Sequence, residues 1–223
     1  MKQKNQIFKS RRKLQMKKLT IKDFEDTFQN REPKSLGTYR YYSVLVPLVE
    51  QDGELHILYE VRADNIRQPG EVCFPGGRVE NDESAEECAV RETSEELNIS
   101  PGDIRIIAQM DFLHTYSNFT LYSLLGVISP EVVSQIKVNP DEVKEIFLVP
   151  VSFLAENEPE IYCFDVLPNI GPDFPYEKIN KTDGYSWRKG KSMVPIYRYG
   201  DRVIWGLTAR ITSHLLDLVA GKI

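Results

Sequence analysis

The sequence predicts an α/β chain of the α+β kind, on three observations. Two apolar runs rich in β-branched and aromatic residues, YYSVLVPLV and ELHILYEV, flank Gln51-Asp52-Gly53. Asp-Gly between such runs signals a hairpin. The fifteen residues from Ser84 to Asn98 contain neither Gly nor Pro and are rich in Ala and Glu, which favours a helix. Further strand-like runs follow, and the chain closes on IWGLTARITSHLLDLVAGK, with Leu207, Ile211, Leu215 and Leu218 at helical spacing before Gly221.

Composition narrows the classes. At 223 residues and 41% hydrophobic content, one sizeable core can form. No window approaches the run of about 18 apolar residues that a spanning helix needs, so no membrane partner is expected. Cys73, Cys88 and Cys163 are odd in number and form no C-x-x-C pair. That argues against a disulfide scaffold and a cysteine zinc site, and suits a reducing cytoplasm. His56, His114 and His214 are too scattered for a metal cluster and read as structural residues.

Charge is uneven. Residues 1–40 hold 12 Lys/Arg against 4 Asp/Glu, a net +8, which leaves −13 on the rest. Residues 1–18 carry eight basic residues and no acid, and are expected to form a disordered arm. Residues 19–35 read as a short helix and linker: Thr20 is the expected N-cap, and Arg31-Glu32-Pro33 the stop. Residues 36–223 read as a single domain, since no repeat or linker divides them.

Within that domain the hairpin leads to the glycine-rich turn Phe74-Pro75-Gly76-Gly77. Asp82, Glu83 and Ser84 supply caps and negative charge for the following helix. DIRIIAQMDFLHT, FTLYSLLGVIS and EIFLVPV are the next strands. A long irregular loop is expected at about 156–192, with prolines at 159, 168, 172 and 175 and a mixture of aromatic and charged residues. A binding loop, a surface insertion and the arm of a homodimer are the open readings of it.

The densest chemistry is Arg91-Glu92-Thr93-Ser94-Glu95-Glu96. On a helix Glu92 and Glu96 share a face about 6 Å apart along the axis, with Glu95 beside them. Like charges at that spacing repel, so they are either solvated or neutralised by a cation. Oxygen-only ligands suit a hard ion, Mg²⁺ or Mn²⁺, which also binds substrate phosphates. Spacing alone leaves both readings open.

The upstream residues add a pattern. Gly77, five residues, Glu83, seven residues, then Arg91-Glu92-Thr93-Ser94-Glu95-Glu96-Leu97-Asn98-Ile99 resembles the signature box of the Nudix hydrolase family. Thr93 stands where an aliphatic is usual, and Asn98 where the signature has glycine. Asn is the next-best residue for a left-handed cap. Leu58, Arg62, Ala63, Arg67, Gly70, Phe74, Pro75, Gly76 and Gly77 are similar to the motif that precedes the box in the coenzyme A pyrophosphatase branch. Tyr59 and Glu60 replace its Leu-Thr, and one residue is missing between Arg67 and Gly70. NPDEVKEIFLVPVSFL and RVIWGLTARI extend the likeness.

The resemblance implies the Nudix fold, a mixed β-sheet sandwiched between α-helices. It implies Mg²⁺- or Mn²⁺-dependent cleavage of a nucleoside diphosphate derivative, a small molecule of coenzyme A type. Glu92 and Glu96 become metal ligands, Glu95 a ligand or general base, and Arg91 an orienting residue acting through Glu83. Gly76 and Gly77 permit the turn and bring a backbone carbonyl to the metal. Glu142 or Glu145, after Asn139-Pro140-Asp141, is a second candidate base. Arg62 and Arg67 are candidates for the substrate's phosphates. Phe74 and Cys73 either line an apolar part of the pocket or belong to the core. The alternative reading within the family is hydrolysis of another nucleoside diphosphate derivative, ADP-ribose or NADH. A non-catalytic ligand- or RNA-binding module is the rival class, although nucleic acid is not the expected partner: the arm offers charge with Phe8 as its only aromatic.

Overall fold

The structure, a computed structural model, describes residues 19–33, 35–37 and 39–222. The basic arm of residues 1–18 lies outside them. The chain divides into two units, Met1–Arg40 and Tyr41–Ile223. In the first, α1 (Ile21–Phe28) begins at Thr20, whose hydroxyl and the Asp23 carboxylate cap each other's backbone N–H groups. That capping box satisfies two donors a helix N-terminus would leave open.

The second unit starts with the hairpin. Strands β1 (Arg40–Gln51) and β2 (Glu54–Arg62) pair antiparallel in the register Gln51↔Glu54, Val49↔His56. Asp52 and Gly53 both have positive φ, the backbone that a two-residue turn requires and that Asp-Gly adopts readily. After β3 (Val72–Cys73) and β4 (Gly76–Arg78) comes α2 (Ala85–Leu97). The sheet is completed by β5 (Ile104–Gln109), β6 (Leu113–His114) and β7 (Phe119–Ile128). A four-residue helix α3 (Pro130–Val133) leads to β8 (Val143–Pro150) and then α4 (Val151–Glu156). The path of this eight-stranded sheet is β3-β2-β1-β7-β5, with β4 on β1, β6 on β7 and β8 on β2.

Strand alternation sends side chains to two clusters, one on each face. Leu45, Val49 and Leu58 pack with Ala89 and Leu97 of α2. Val46, Ile57, Tyr59 and Val149 pack with the C-terminal helix α5 (Gly206–Val219) through Ala209, Ile211 and Leu215. The sheet therefore lies between α2 and α5, the sandwich expected from the resemblance. Tyr59 OH and Thr212 Oγ1, 2.9 Å apart, satisfy each other inside the second cluster. Among the described residues no helix is long and apolar enough to cross a membrane.

The loop expected at 156–192 is shorter than its composition suggests. Residues Glu160–Val166 form β9 and Gly190–Tyr199 form β10, paired antiparallel from Glu160↔Ile196 to Val166↔Gly190. With β11 (Arg202–Trp205) they make a second, three-stranded sheet in the order β11-β10-β9. Buried Tyr197 and Ile204 fix this sheet to the α5 cluster. Strand β9 is exposed along almost its whole length, so no apolar alternation announces it.

Candidate functional site

Turn and helix meet at the glycine pair. Strand β4 pairs antiparallel with β1, with Gly76 opposite Val44 and Gly77 opposite Ser43. Gly76 has φ +148, and a Cβ there would collide with the Ser43 carbonyl oxygen and the Val44 backbone. At Gly77 a Cβ would occupy the space of the Glu92 carboxylate. The first glycine is needed by the backbone, the second by a side chain arriving from α2.

Helix α2 is held at both ends. Ser84 and Glu87 form a capping box, and Asn98 takes the left-handed conformation (φ 51, ψ 48) expected of it. Ser43 Oγ donates to the Ala85 carbonyl at 2.6 Å, joining β1 to the start of α2. Its end is joined to the loop before β8: Asn139 N–H donates to the Glu96 carbonyl at 2.8 Å, and Asn98 Nδ2 to the Lys137 carbonyl at 2.6 Å.

So fixed, α2 turns its acids to different tasks. Glu96 is buried, and its Oε2 accepts the Gly76 N–H at 2.8 Å. Glu92 is half-buried against Gly77. Glu95 faces outward, 57% exposed. Arg91 ties the set together. Its Nε and Nη2 donate to the two Glu83 oxygens at 3.1 and 2.9 Å, Nη2 lies 3.0 Å from Glu92 Oε1, and Nη1 donates to Glu95 Oε2 at 3.3 Å. The Arg91 hydrogen bonds hold the Glu83 carboxyl down at about 2.

A carboxylate that sequence reasoning did not single out lies beside them. Glu60 of β2 is 1% exposed, and its Oε1 has no hydrogen-bond partner. Burial, reinforced by Glu142, pushes its carboxyl above the usual range, against the weaker effects of Cys73 and Arg62. Glu96 is pushed up too, first by burial and then by Glu60. Glu92 shifts the same way, again mainly by burial. The signal was a lone acid inside the apolar run LHILYEV.

The other expected residues part ways. Glu142 is exposed on the loop before β8 and acts electrostatically on Glu60, Glu92 and Glu96. Its carbonyl accepts the Ala63 N–H at 3.0 Å. Glu145 is engaged elsewhere, held by Arg202 through two bonds of 2.7 and 3.0 Å. Arg62 and Arg67 share a loop, with Arg62 Nε donating to the Arg67 carbonyl at 2.9 Å. Phe74 is not a pocket wall. At 4% exposure and stacked on Tyr59 with centroids 5.0 Å apart, it belongs to the core cluster beneath the turn. The histidines take structural partners: His114 with Thr120 Oγ1 at 2.8 Å, His214 with Asp111 Oδ2 at 2.7 Å, and His56 with the Glu54 carbonyl at 3.0 Å.

Comparison with known proteins gives this geometry a family. The NUDIX domain model matches residues 40–164, more than half of the chain. The chain belongs to the NUDIX family. It is 35% identical over 138 residues to the peroxisomal coenzyme A diphosphatase NUDT7 of Mus musculus, covering 60% of this chain and 56% of that protein. It is 28% identical over 181 residues to the mitochondrial coenzyme A diphosphatase NUDT8 of Homo sapiens, covering 80% and 69%. A Nudix hydrolase of Caenorhabditis elegans is 37% identical over 117 residues, 51% of this chain and 49% of that one. The chain thus spans about half the length of the mouse and nematode relatives.

NUDIX hydrolases generally use divalent metal ions. The residues here fit such an ion by their chemistry: the donors are oxygen only, two of the carboxylates are buried, and one buried oxygen lacks any partner. Among the described residues no three His, Cys, Asp or Glu side chains already stand in a metal-holding arrangement. Side-chain rotation of the glutamates would have to complete it.

Proposed function

We propose that this chain is a Mg²⁺- or Mn²⁺-dependent pyrophosphohydrolase of coenzyme A or acyl-CoA. Its products would be adenosine 3′,5′-bisphosphate and 4′-phosphopantetheine or its acyl form. The observation that carries the chemistry is the presentation of Glu92 and Glu96 against the Gly76–Gly77 turn. The substrate class rests on the likeness to relatives named coenzyme A diphosphatases.

The residues divide the work. Glu92 and Glu96 hold the cation, with Glu95 completing the set from the exposed side. A bound cation polarises phosphoryl oxygens and lowers the pKa of the attacking water. Glu142, on the exposed loop within electrostatic reach of these acids, would accept the proton of the attacking water as its oxygen bonds to phosphorus, the P–O bond of the diphosphate bridge breaks and the second phosphate leaves. Arg91 is a positioning residue, braced by Glu83. Arg62 and Arg67 receive the substrate's phosphates. A cytoplasmic setting belongs to the same reading, supported by three free thiols, Cys73, Cys88 and Cys163.

Purified protein incubated with Mn²⁺ and coenzyme A, acetyl-CoA, ADP-ribose or NADH tests this. The expected result is turnover of the coenzyme A compounds to adenosine 3′,5′-bisphosphate. Turnover of ADP-ribose without any of coenzyme A would overturn the substrate and keep the chemistry. Turnover of none would favour a binding module.

A further inference from the structure

Strand β2 carries one charged residue that is fully buried, Glu60. Leu58 and Glu60 alternate with Ile57, Tyr59 and Val61, so both point toward α2, where Leu58 joins Ala89 and Leu97. Glu60 in turn acts electrostatically on the buried Glu96 of α2, and Glu142 of the loop before β8 acts on both. The polar company of the Glu60 carboxylate is thin. The Cys73 thiol donates weakly to Oε2 at 3.8 Å, Arg62 offers charge but commits its Nε to the Arg67 carbonyl, and Oε1 has nothing.

A carboxylate buried for structural reasons has partners for its oxygens, because an unmet one carries its full desolvation cost. Two carboxylates buried within electrostatic reach of each other add repulsion. A hard cation resolves both at once: it bonds to the unmet oxygen and offsets the paired charge. We propose that Glu60 is an additional ligand of the divalent-cation site, reaching it from the sheet while Glu92 and Glu96 reach it from the helix. The inference rests on the metal-dependent reading above. It also gives a reason for an acid at the position where the resembling motif has threonine.

Calorimetric titration of the metal-free protein with Mn²⁺ tests it without recourse to activity. Glu60→Gln keeps the size and removes the charge. The expected result is Mn²⁺ affinity weakened about tenfold or more, or one bound ion fewer, with native circular dichroism and a metal-free Tm no lower than wild type. The rise in Tm on adding Mn²⁺ should shrink in parallel. Wild-type Mn²⁺ binding by Glu60→Gln, alongside lost binding by Glu96→Gln, would overturn this inference and leave the site intact. Absence of Mn²⁺ binding in the wild type would overturn both. Should Glu60→Gln fail to fold, Glu60→Asp, which withdraws the charge by one methylene, is titrated instead: weaker binding supports the inference and unchanged binding overturns it.

Discussion

Glu96 Oε2 accepts the backbone N–H of Gly76 at 2.8 Å, a bond that spans twenty residues of sequence and joins helix to turn. The two glycines of that turn are not equivalent. Gly76→Ala drives a Cβ into the Ser43 carbonyl and the Val44 backbone, which cannot yield. Gly77→Ala meets first the far end of the flexible Glu92 side chain. Thermal melts should show Gly76→Ala severely destabilised and Gly77→Ala near wild type. Gly77→Ala should nevertheless lose Mn²⁺ affinity and turnover, because Glu92 is displaced.

The Glu83–Arg91 pair sets a pH dependence. Its carboxyl is depressed to about 2 from an ordinary value near 4.5, chiefly by the Arg91 hydrogen bonds. A depressed carboxyl stabilises the fold above its unfolded value, and that contribution fades as pH falls from about 4.5 toward about 2. Glu83→Gln should therefore lower Tm at pH 7 by about 2–4 °C, as about 1 kcal/mol does in a chain of this size. At pH 3 the gap between variant and wild type should narrow. A constant gap across that range would show that the pair contributes nothing through its charge.

Glu142 and Glu145 are three residues apart and engaged differently. Glu142 acts electrostatically on the buried acids, whereas Glu145 is paired with Arg202. Steady-state assays should find Glu142→Gln slowed about 100-fold or more in kcat, the scale of a lost general base. Glu145→Gln should keep wild-type turnover and lose only a little stability.

Thr93 is wholly buried in α2, and its Oγ1 has no hydrogen-bond partner. Thr93→Val replaces the hydroxyl by a methyl of similar size and removes an unmet polar group. Urea unfolding should show a gain of about 1 kcal/mol, with the slope m unchanged.

Much of this arrangement was legible because its determinants are local. Asp52-Gly53 sets the hairpin, Ser84 and Asn98 delimit α2, and the spacing from Gly77 to Glu96 carries the family pattern. What escaped depends on distant partners. Strand β9 shows no apolar alternation because both its faces are largely exposed, and only pairing with β10 makes it a strand. Phe74 reads as pocket or core until the stacked Tyr59 is known. Glu145 and Glu142 look alike until Arg202, fifty-seven residues from Glu145, takes one of them. Glu60 becomes notable only because its face of β2 is covered by α2.

The most direct test of the central claim is coenzyme A hydrolysis in the presence of Mn²⁺ by wild type and by Glu96→Gln. Loss of about 100-fold or more in kcat, in a variant with native circular dichroism and little change in KM, is the expected result. Wild-type turnover by Glu96→Gln would contradict the assignment of the cation and its chemistry to the Gly76–Glu96 junction.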